Sequence, residues 1–410
     1  MPDDISDLVK DTEKVHGPGV AMRGSTKAIA NHIPTGVFIL DFALLGGIAQ
    51  GYIGMVYGYH SCGKSTRILR MAAEFQRKHP DKWVGWIDAE GMYDPKWAEM
   101  NGLDTSRVIV SQPEYGELAV DLFESMLKRP SIGFIVIDSI PSVVPMKVIE
   151  NSAEDDTMAA SARLMGKLCS KVTMGNNAER KKGHWVTVML VNQFRNKVGF
   201  VLGDPRVLPG GIQLNHVPTT KIEFKKGKTI MGKDRYGSEV AEMDECSFKL
   251  EKVKHGQSIR TGDFQMYLNP DNEAGFDAGE VDNYSTIVTF AKRMGYITGG
   301  GSAFRLLTED LDKKTEAAVA ALKLKEPDVS KEKVEKLEAA IDFTKFAGLE
   351  PVKAFLRKNE EEYETLARSL IATQRIAKGL PALPPDGYLV GPGGRLVLPH
   401  QLPSASGSDE

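Results

Sequence analysis

The 410-residue sequence is poor in cysteine and in net charge and has no long apolar run, and each shortage excludes a class of protein. Its three cysteines, Cys62, Cys169 and Cys246, have neither the even number nor the spacing of a disulfide framework or a zinc site, so we expect a reducing, cytoplasmic environment. No run of about 18 apolar residues could span a bilayer, so no membrane association is expected. The formal net charge of -3 creates no global positive field, so binding of anions or nucleic acid must be local.

What remains is the composition of a globular protein, with 41% hydrophobic and 26% charged residues of mixed sign. The length is sufficient for two or three domains. The first residues, MPDDISDLVKDTEK, are acidic and polar, unlike a secretory signal peptide. Residues 1–33 hold an amphipathic segment but are too few to form a domain.

Between residues 34 and 275, short apolar runs alternate with helix-like stretches. The runs read YIGMVYG, WVGWIDAE, RVIVSQ, FIVIDS and HWVTVMLVNQ. Continuous apolar runs of this length are typical of strands buried on both faces of a parallel sheet. The pattern therefore predicts an α/β domain with a mostly parallel central sheet, whose ligands bind at the carboxyl ends of the strands.

The remainder of the chain predicts a second, smaller unit and a tail. Helical periodicity over 276–378 indicates the unit, and its Ala/Lys/Glu-rich stretch 312–342 predicts an exposed helical insertion. The Pro/Gly-rich segment 379–410 is predicted to be disordered.

The sequence GYHSCGKST, residues 58–66, fits the pattern of a phosphate-binding P-loop. Gly58 and Gly63 let the loop curl so that backbone N–H groups face phosphate oxygens, and the following helix adds its partial positive charge. Lys64 is predicted to reach the β- and γ-phosphates of ATP, and Ser65 to ligate Mg²⁺. The predicted nucleotide-binding residues of the loop are Gly58, Tyr59, His60, Ser61, Cys62, Gly63, Lys64, Ser65 and Thr66.

Two carboxylates at strand ends complete the predicted chemistry. Asp138 ends the run FIVID, where it would either bind the magnesium beside Ser65 or cap a turn. Glu90 follows the run WVGWID, where it would either polarise an attacking water or cap a helix.

Several motifs in register resemble the RecA family of bacterial and phage strand-exchange ATPases. The segment IDAEGMYDPKWAEMNGLD is similar to the family's segment with the catalytic glutamate, here Glu90. The segments VSQPEYGELAVDL, FIVIDSI, VNQFRNKVGFVLGDP and PGGIQL follow in the family's order and spacing. The resemblance covers residues 5–300. It implies a P-loop ATPase core, an N-terminal helix and strand within 1–33 that polymerise the protein, and a small α+β C-terminal domain.

The resemblance also implies roles for residues outside the P-loop. Asp94 and Trp97 match positions that contact the adenine and stack on it. Gln193 matches a glutamine that senses the γ-phosphate and orders the loop that follows. Lys252 and Lys254 match a basic pair that reaches the ATP of the neighbouring subunit, as an arginine finger does.

The segment 194–211 is predicted to be a DNA-binding loop, with a mobile surface loop as the alternative. It has three cations against one acid, together with four glycines and two prolines. Its cations and backbone N–H groups would hold phosphates without reading sequence, while its apolar side chains wedge between bases. The predicted contacts are Arg195, Lys197, Gly199, Leu202, Gly210 and Gly211.

Two other segments bear on DNA. Residues 147–163 resemble the family's first DNA loop, in which Met158 and Arg163 match contacting positions. The segment 221–237 carries six Lys or Arg residues against two acids. It predicts a solvated hairpin, with a secondary site for duplex DNA as the alternative.

Together these features predict a DNA-dependent ATPase that forms a helical filament on single-stranded DNA and exchanges strands with a homologous duplex in recombinational repair. The predicted partners are both forms of DNA, further copies of the chain, and a loader or single-strand-binding protein. The alternatives are a RecA-fold helicase or branch-migration motor, and a regulatory filament that does not exchange strands. The divergent P-loop and the weakly acidic tail favour a phage-encoded member.

The P-loop lining differs from the family's usual one. The family commonly has Pro-Glu where Tyr59 and His60 stand, and a small residue at Cys62. We interpret Cys62 as a serine-sized filler rather than as a nucleophile or metal ligand. Because it lies beside Lys64 and a helix N-terminus, its thiol is nevertheless predicted to be partly ionised when ATP is absent.

Overall fold

The computed structural model divides the chain into two compact units, one of residues 1–281 with 383–410 and one of residues 282–382. It describes residues 4–17, 20–21, 31–150, 154–196, 206–254, 259–301, 303–307, 345–378, 380, 389–390 and 396–397. The predicted insertion over 312–342 and most of the predicted polymerisation strand near residues 19–24 lie outside the described residues.

The larger unit is built on a central sheet. Its strands, with the two short pairs beside it, are β1 (His32–Ile33), β2 (Ile48–Ala49), β3 (Ile53–Gly58), β4 (Trp83–Asp88), β5 (Val108–Ser111), β6 (Ile132–Asp138), β7 (Thr187–Gln193), β8 (Arg195–Asn196), β9 (Arg206–Val207), β10 (Thr220–Lys233), β11 (Glu239–Val253) and β12 (Thr261–Tyr267). Eight of them form the sheet, in the order β12-β11-β10-β3-β7-β6-β4-β5. From β10 to β5 all neighbours are parallel, and β11 and β12 add an antiparallel edge. The predicted α/β class with a mostly parallel sheet is confirmed.

Helices cover the sheet, which is why its central strands are apolar along their whole length. The helices are α1 (Asp4–His16), α2 (Phe38–Ala43), α3 (Lys64–Lys78), α4 (Pro95–Met100), α5 (Gly116–Leu127), α6 (Met146–Glu150), α7 (Glu154–Ser170), α8 (Asn176–Lys181) and α9 (Gly211–His216). Every residue of β3 and β6 is buried. Phe123 of α5 packs there with Ile135 and Leu190 in one apolar core.

The smaller unit combines helices with a three-stranded antiparallel sheet. Its elements are α10 (Asn283–Arg293), β13 (Ile297–Gly300), β14 (Ala303–Leu306), β15 (Lys345–Phe346), α11 (Leu349–Lys358) and α12 (Glu360–Ala377). The strands pair in the order β13-β14-β15, and Ile287, Leu366 and Leu370 are buried in its core. In the part of the chain that the structure describes, no helix has both the length and the hydropathy needed to cross a bilayer.

Two segments differ from their predictions. Most described residues of the predicted loop 147–163 are helical, in α6 and α7, because the stretch MAASARLM is rich in strong helix formers. In the tail predicted to be disordered, β16 (Leu389–Val390) pairs with β17 (Leu396–Val397).

Asp41 is a buried carboxyl group in α2 that makes the stability of the larger unit depend on pH. The backbone N–H of Thr35 donates to its Oδ1 at 2.7 Å. Burial raises the pKa of Asp41 to about 7, so the folded state favours the neutral carboxyl. Since the ordinary pKa is 3.8, this preference stabilises the fold at acid pH and is lost as the pH rises through the interval from about 4 to 7.

We therefore expect Asp41→Asn, which keeps the acceptor oxygen, to match the parent protein at about pH 3, where the carboxyl is neutral in both the folded and the unfolded state. At pH 8 it should raise the free energy of unfolding by about 2 kcal/mol or more. Urea unfolding of both proteins at the two pH values measures the difference. Asp81→Asn is the matched control because it makes the same chemical change at an exposed aspartate beside Lys82, where the effect on unfolding should be small. A constant effect of Asp41→Asn across this interval would contradict the raised pKa.

Candidate nucleotide site

The predicted nucleotide-site residues lie at the carboxyl ends of four neighbouring strands. Gly58, the last residue of β3, pairs with Gln193, the last residue of β7. Asp88 at the end of β4 pairs with Asp138 at the end of β6. Because these strands are parallel, all four chain ends leave the sheet at the same edge, where α/β proteins bind their ligands.

The P-loop connects β3 to α3, and its two glycines are required by the geometry. A Cβ atom on Gly58 would lie 2.2 Å from the carbonyl oxygen of Phe224, which no side chain can tolerate. Gly63 has φ 77°, in the left-handed region, and immediately precedes the first turn of α3. The unpaired N–H groups of that turn make the loop a ready anion site.

Lys64 and Cys62 lie against each other inside this loop. The Lys64 Nζ atom donates to the carbonyl oxygen of Tyr59 at 2.6 Å and lies 3.8 Å from the Cys62 sulfur. Cys62 is buried, and burial raises the pKa of its thiol despite the nearby ammonium group. The prediction of a partly ionised thiol is therefore wrong, because the cost of burying a thiolate outweighs the attraction of Lys64.

Ser65 and Asp138 form the pair expected at a magnesium site. The Ser65 hydroxyl donates to Asp138 Oδ2 at 2.9 Å. Burial raises the pKa of Asp138 to about 6 despite that hydrogen bond, and the negative charges of Glu90 and Asp88 act in the same direction as burial. Three neighbouring carboxyl groups repel one another when all are ionised, and a bound cation would offset that repulsion. Among the described residues, no group of three or more His, Cys, Asp or Glu side chains is arranged so that it could hold a metal ion by itself, so a magnesium ion here would rely on phosphate and water ligands as well.

Glu90 is exposed and is held by two neighbouring side chains. The Gln193 Nε2 atom donates to Glu90 Oε1 at 2.8 Å, and the Ser139 hydroxyl donates to the same oxygen. The Glu90 carboxylate thus lies between Ser139, which follows Asp138, and Gln193, the last residue of β7. Of the two roles weighed for Glu90, this position favours polarising a water over capping a helix.

Asp88 shapes the turn that carries Glu90. It is buried and accepts hydrogen bonds from the backbone N–H groups of Met92 and Tyr93 at 3.1 and 3.0 Å. The Gln112 side chain donates to it at 3.0 Å. Asp88 therefore fixes the backbone around Glu90 rather than facing the ligand.

Asp94 and Trp97 occupy different positions relative to the site. The Trp97 Nε1 atom donates to the Thr66 hydroxyl at 3.4 Å, which sets the indole beside the start of α3. Asp94 is the N-cap of α4 and accepts from the backbone N–H groups of Lys96 and Trp97 at 2.8 and 3.3 Å. The Trp97 indole thus lines the cavity beside the P-loop helix, whereas the Asp94 carboxylate caps α4.

A cavity of about 430 Å³ collects most of these residues. This volume lies in the range of small-molecule sites. From the predicted set it is lined by His60, Ser61, Cys62, Gly63, Lys64, Ser65, Thr66, Glu90, Trp97, Asp138 and Gln193. Gly58, Tyr59 and Asp94 are not part of the lining that the described residues form.

The opposite wall contains residues that the sequence did not reveal. It includes Lys226, Asp244, Met266 and Leu268 from β10, β11, β12 and the residue after β12. Lys226 Nζ lies 2.8 Å from Asp244 Oδ2 in an ion pair. The three lysines between residues 225 and 228 indicate a basic segment, but the sequence does not show that one of them, Lys226, lies at the same cavity as the P-loop.

Lys252 and Lys254 lie far from this cavity. Val253 between them pairs with Thr220, which pairs with Gly54, four residues before the P-loop end of β3. At about 3.3 Å per residue, the two lysines are at least about 13 Å from that end of the strand. The Lys252 ammonium instead donates to the carbonyl oxygen of His216 at 2.8 Å.

The two predicted DNA segments are described only in part. The ends of the segment 194–211 lie in β8, in β9 and at the start of α9, and the described residues of the segment 147–163 lie in α6 and α7. Arg195 and Gly210 flank the second segment, Arg195 in β8 and Gly210 as the N-cap of α9, whose first residue is Gly211. On α7, Met158 is 79% exposed, and Arg163 is exposed with its Nε donating to Ala159 O at 3.2 Å. Lys197, Gly199 and Leu202 lie outside the described residues. The basic segment 221–237 forms the hairpin between β10 and β11.

Comparison with known proteins identifies the architecture around this site. The model of the RecA N-terminal domain matches residues 3–270, about two thirds of the chain. The chain belongs to the RecA family. That match contains the whole RecA-type sheet, the P-loop and Gln193.

Curated RecA proteins are similar over the same region. Protein RecA of Petrotoga mobilis is 36% identical over 240 residues, 57% of this chain and 63% of the relative. Protein RecA of Fusobacterium nucleatum is 36% identical over 240 residues, with shares of 58% and 62%. Protein RecA of Francisella tularensis subsp. novicida is 32% identical over 267 residues, with shares of 64% and 71%. The chain thus spans somewhat more than three fifths of the first two relatives.

Proposed function

We propose that this protein is a DNA-dependent ATPase that binds ATP and Mg²⁺ and assembles on single-stranded DNA as a helical filament. In that filament it would pair and exchange strands with a homologous duplex, in recombinational repair in the cytoplasm. The proposal rests chiefly on the 2.8 Å hydrogen bond between Gln193 and Glu90. It joins the carboxylate best placed to activate water to the residue from which the predicted DNA loop departs.

The chemistry assigns one task to each residue. Lys64 and the N-terminal N–H groups of α3 would hold the phosphates, with Ser65 and Asp138 holding the magnesium that neutralises their charge. Glu90 would orient a water and accept its proton in line with the terminal phosphate. Trp97 would support the base, and Gln193 would report the γ-phosphate to residues 194–211, ordering them for DNA.

Exposed apolar side chains support self-assembly. Ile5, Leu8 and Val15 of α1 are each more than half exposed, as expected of a helix that packs on another subunit. At the opposite edge of the sheet from β12, strand β5 exposes Ile109 and Val110. Two such different surfaces on one chain favour head-to-tail contacts, which do not close and so propagate as a filament. A loader or single-strand-binding protein would be a further partner.

The decisive experiment measures ATP hydrolysis with and without single-stranded DNA, in parallel with strand exchange on a homologous duplex. We expect DNA to stimulate hydrolysis and the exchanged product to accumulate only with ATP. Hydrolysis indifferent to DNA would overturn the proposal. DNA-stimulated hydrolysis without exchange would instead favour a regulatory filament. Gln193→Ala should weaken the ATP-dependent tightening on single-stranded DNA, since it removes the contact to Glu90.

A further inference from the structure

Phe194 stands at the start of the predicted DNA loop and touches the P-loop directly. Its backbone N–H donates to the carbonyl oxygen of Gly58 at 3.3 Å. Its ring lies 5.3 Å from the ring of Tyr59, and 5.4 Å from that of Tyr57 in an edge-to-face arrangement. Both spacings are within the range of favourable aromatic pairs.

Arg206 covers the same ring from the other end of the loop. Its guanidinium carbon lies 4.9 Å from the centre of the Phe194 ring, a cation–π distance. Arg206 is oriented by an ion pair with the buried Glu223 at 3.2 Å. Asn196 pairs with Arg206 across β8 and β9, so this stack lies where the two ends of the loop meet.

The stack is linked to the phosphate-binding lysine through a backbone atom. The Lys64 ammonium donates to the carbonyl oxygen of Tyr59 at 2.6 Å. A phosphate bound at Lys64 competes for that ammonium and so changes the restraint on Tyr59. Tyr59 is 49% exposed and lies outside the cavity lining formed by the described residues, while its ring packs against Phe194.

We propose that Tyr59, Phe194 and Arg206 form a second connection, besides Gln193, through which a nucleotide at Lys64 sets the arrangement of the loop 194–211. The three are positioning residues: they act on the loop base and not on the reacting atoms. This inference rests on the proposed function, because it assumes that this loop binds DNA. It differs from the route through Gln193, which begins at Glu90 and the terminal phosphate.

The protein's dissociation constant for a fluorescent oligothymidylate is measured without nucleotide and again with ATPγS and Mg²⁺. The first value divided by the second is the ratio by which nucleotide tightens DNA binding. Tyr59→Ala should reduce this ratio about five-fold, the effect expected from losing the aromatic contact with Phe194. Tyr59→Phe keeps the ring and should restore the parental ratio. Arg206→Lys keeps the charge but not the planar stack, so it should lower the ratio as Tyr59→Ala does. Affinity of Arg206→Lys for a fluorescent ATP analogue should stay within about two-fold of the parent, because Arg206 lies outside the cavity lining formed by the described residues.

A matched control is present at the other end of β3. There, Tyr52 stacks on the Arg180 guanidinium at 4.3 Å, beside Trp185. Tyr52→Ala removes an equivalent stack away from the P-loop, so it should lower the melting temperature and leave the ratio unchanged.

The possible outcomes separate the two proposals. A parent protein whose DNA affinity does not respond to ATPγS would overturn both the proposed function and this connection. A responsive parent with an unchanged ratio in Tyr59→Ala or Arg206→Lys would overturn the connection alone. An equal loss in Tyr52→Ala would also overturn it, by showing that general destabilisation causes the effect.

Discussion

Replacing Glu90 with glutamine is expected to reduce DNA-stimulated ATP hydrolysis at least about 100-fold. The amide has nearly the same shape, and its oxygen can still accept from Gln193 and Ser139 as the carboxylate does. It cannot accept a proton from water, so only the chemical step is affected. Phosphate release in the presence of single-stranded DNA measures the loss.

Two comparisons make this result specific. The affinity of Glu90→Gln for a fluorescent ATP analogue should remain within about two-fold of the parent, because the phosphate-binding loop is untouched. Glu124→Gln makes the same chemical change on the surface of α5, where Glu124 pairs with Lys128 and Lys171, and should retain full activity. Parental hydrolysis by Glu90→Gln would move the water-activating role to another group.

Replacing both Lys252 and Lys254 with alanine is expected to lower hydrolysis by about 100-fold or more, with no loss of nucleotide affinity in the single chain. The reason is their location: they flank Val253, the last residue of β11, which is level with the amino end of β3 across β10, at least about 13 Å along the strand from the P-loop. From there they can assist hydrolysis only at a site on a neighbouring subunit. Lys181→Ala with Lys182→Ala, an adjacent surface pair, is the control and should have no effect.

Mixing the two inactive proteins gives a sharper test. In the proposed filament, each interface would take Glu90 from one subunit and the lysine pair from the next. At equal, random mixing about a quarter of the interfaces would be intact, so about a quarter of the parental activity should return. If the mixture stays inactive while both variants still co-assemble, the lysines do not act across the interface.

The central part of the site was predictable because strand ends follow simple rules. Gly58, Asp138 and Gln193 each end an apolar run, and parallel runs end at a common edge. Glu90 lies two residues after the end of another such run, β4, and is therefore near the same edge. For these residues the sequence pattern alone indicates the position, whereas the role predicted for Gln193 came only from the resemblance to the RecA family.

The rest depends on contacts that no local pattern records. Lys226 and Asp244 reach the cavity wall only because β10 lies beside β3 and β11 folds back on it. The Cys62 thiol was expected to ionise from its neighbours in sequence, but its burial is a property of the packed structure. The described residues of 147–163 form helices, as their local helix propensity favours. The resemblance to a family loop led to a different prediction for this segment.

The position of β3 in the sheet has a consequence for how the chain folds. The strand that precedes the P-loop pairs with β7, about 130 residues later, and with β10, later still. During synthesis β4, β5 and β6 can pair with each other, but β3 has no partner strand until β7 is complete. Such long-range pairing is slow and leaves an apolar strand open to aggregation in the meantime. Nucleotide can bind only after that pairing, so ATP would stabilise the finished core and not its folding intermediates.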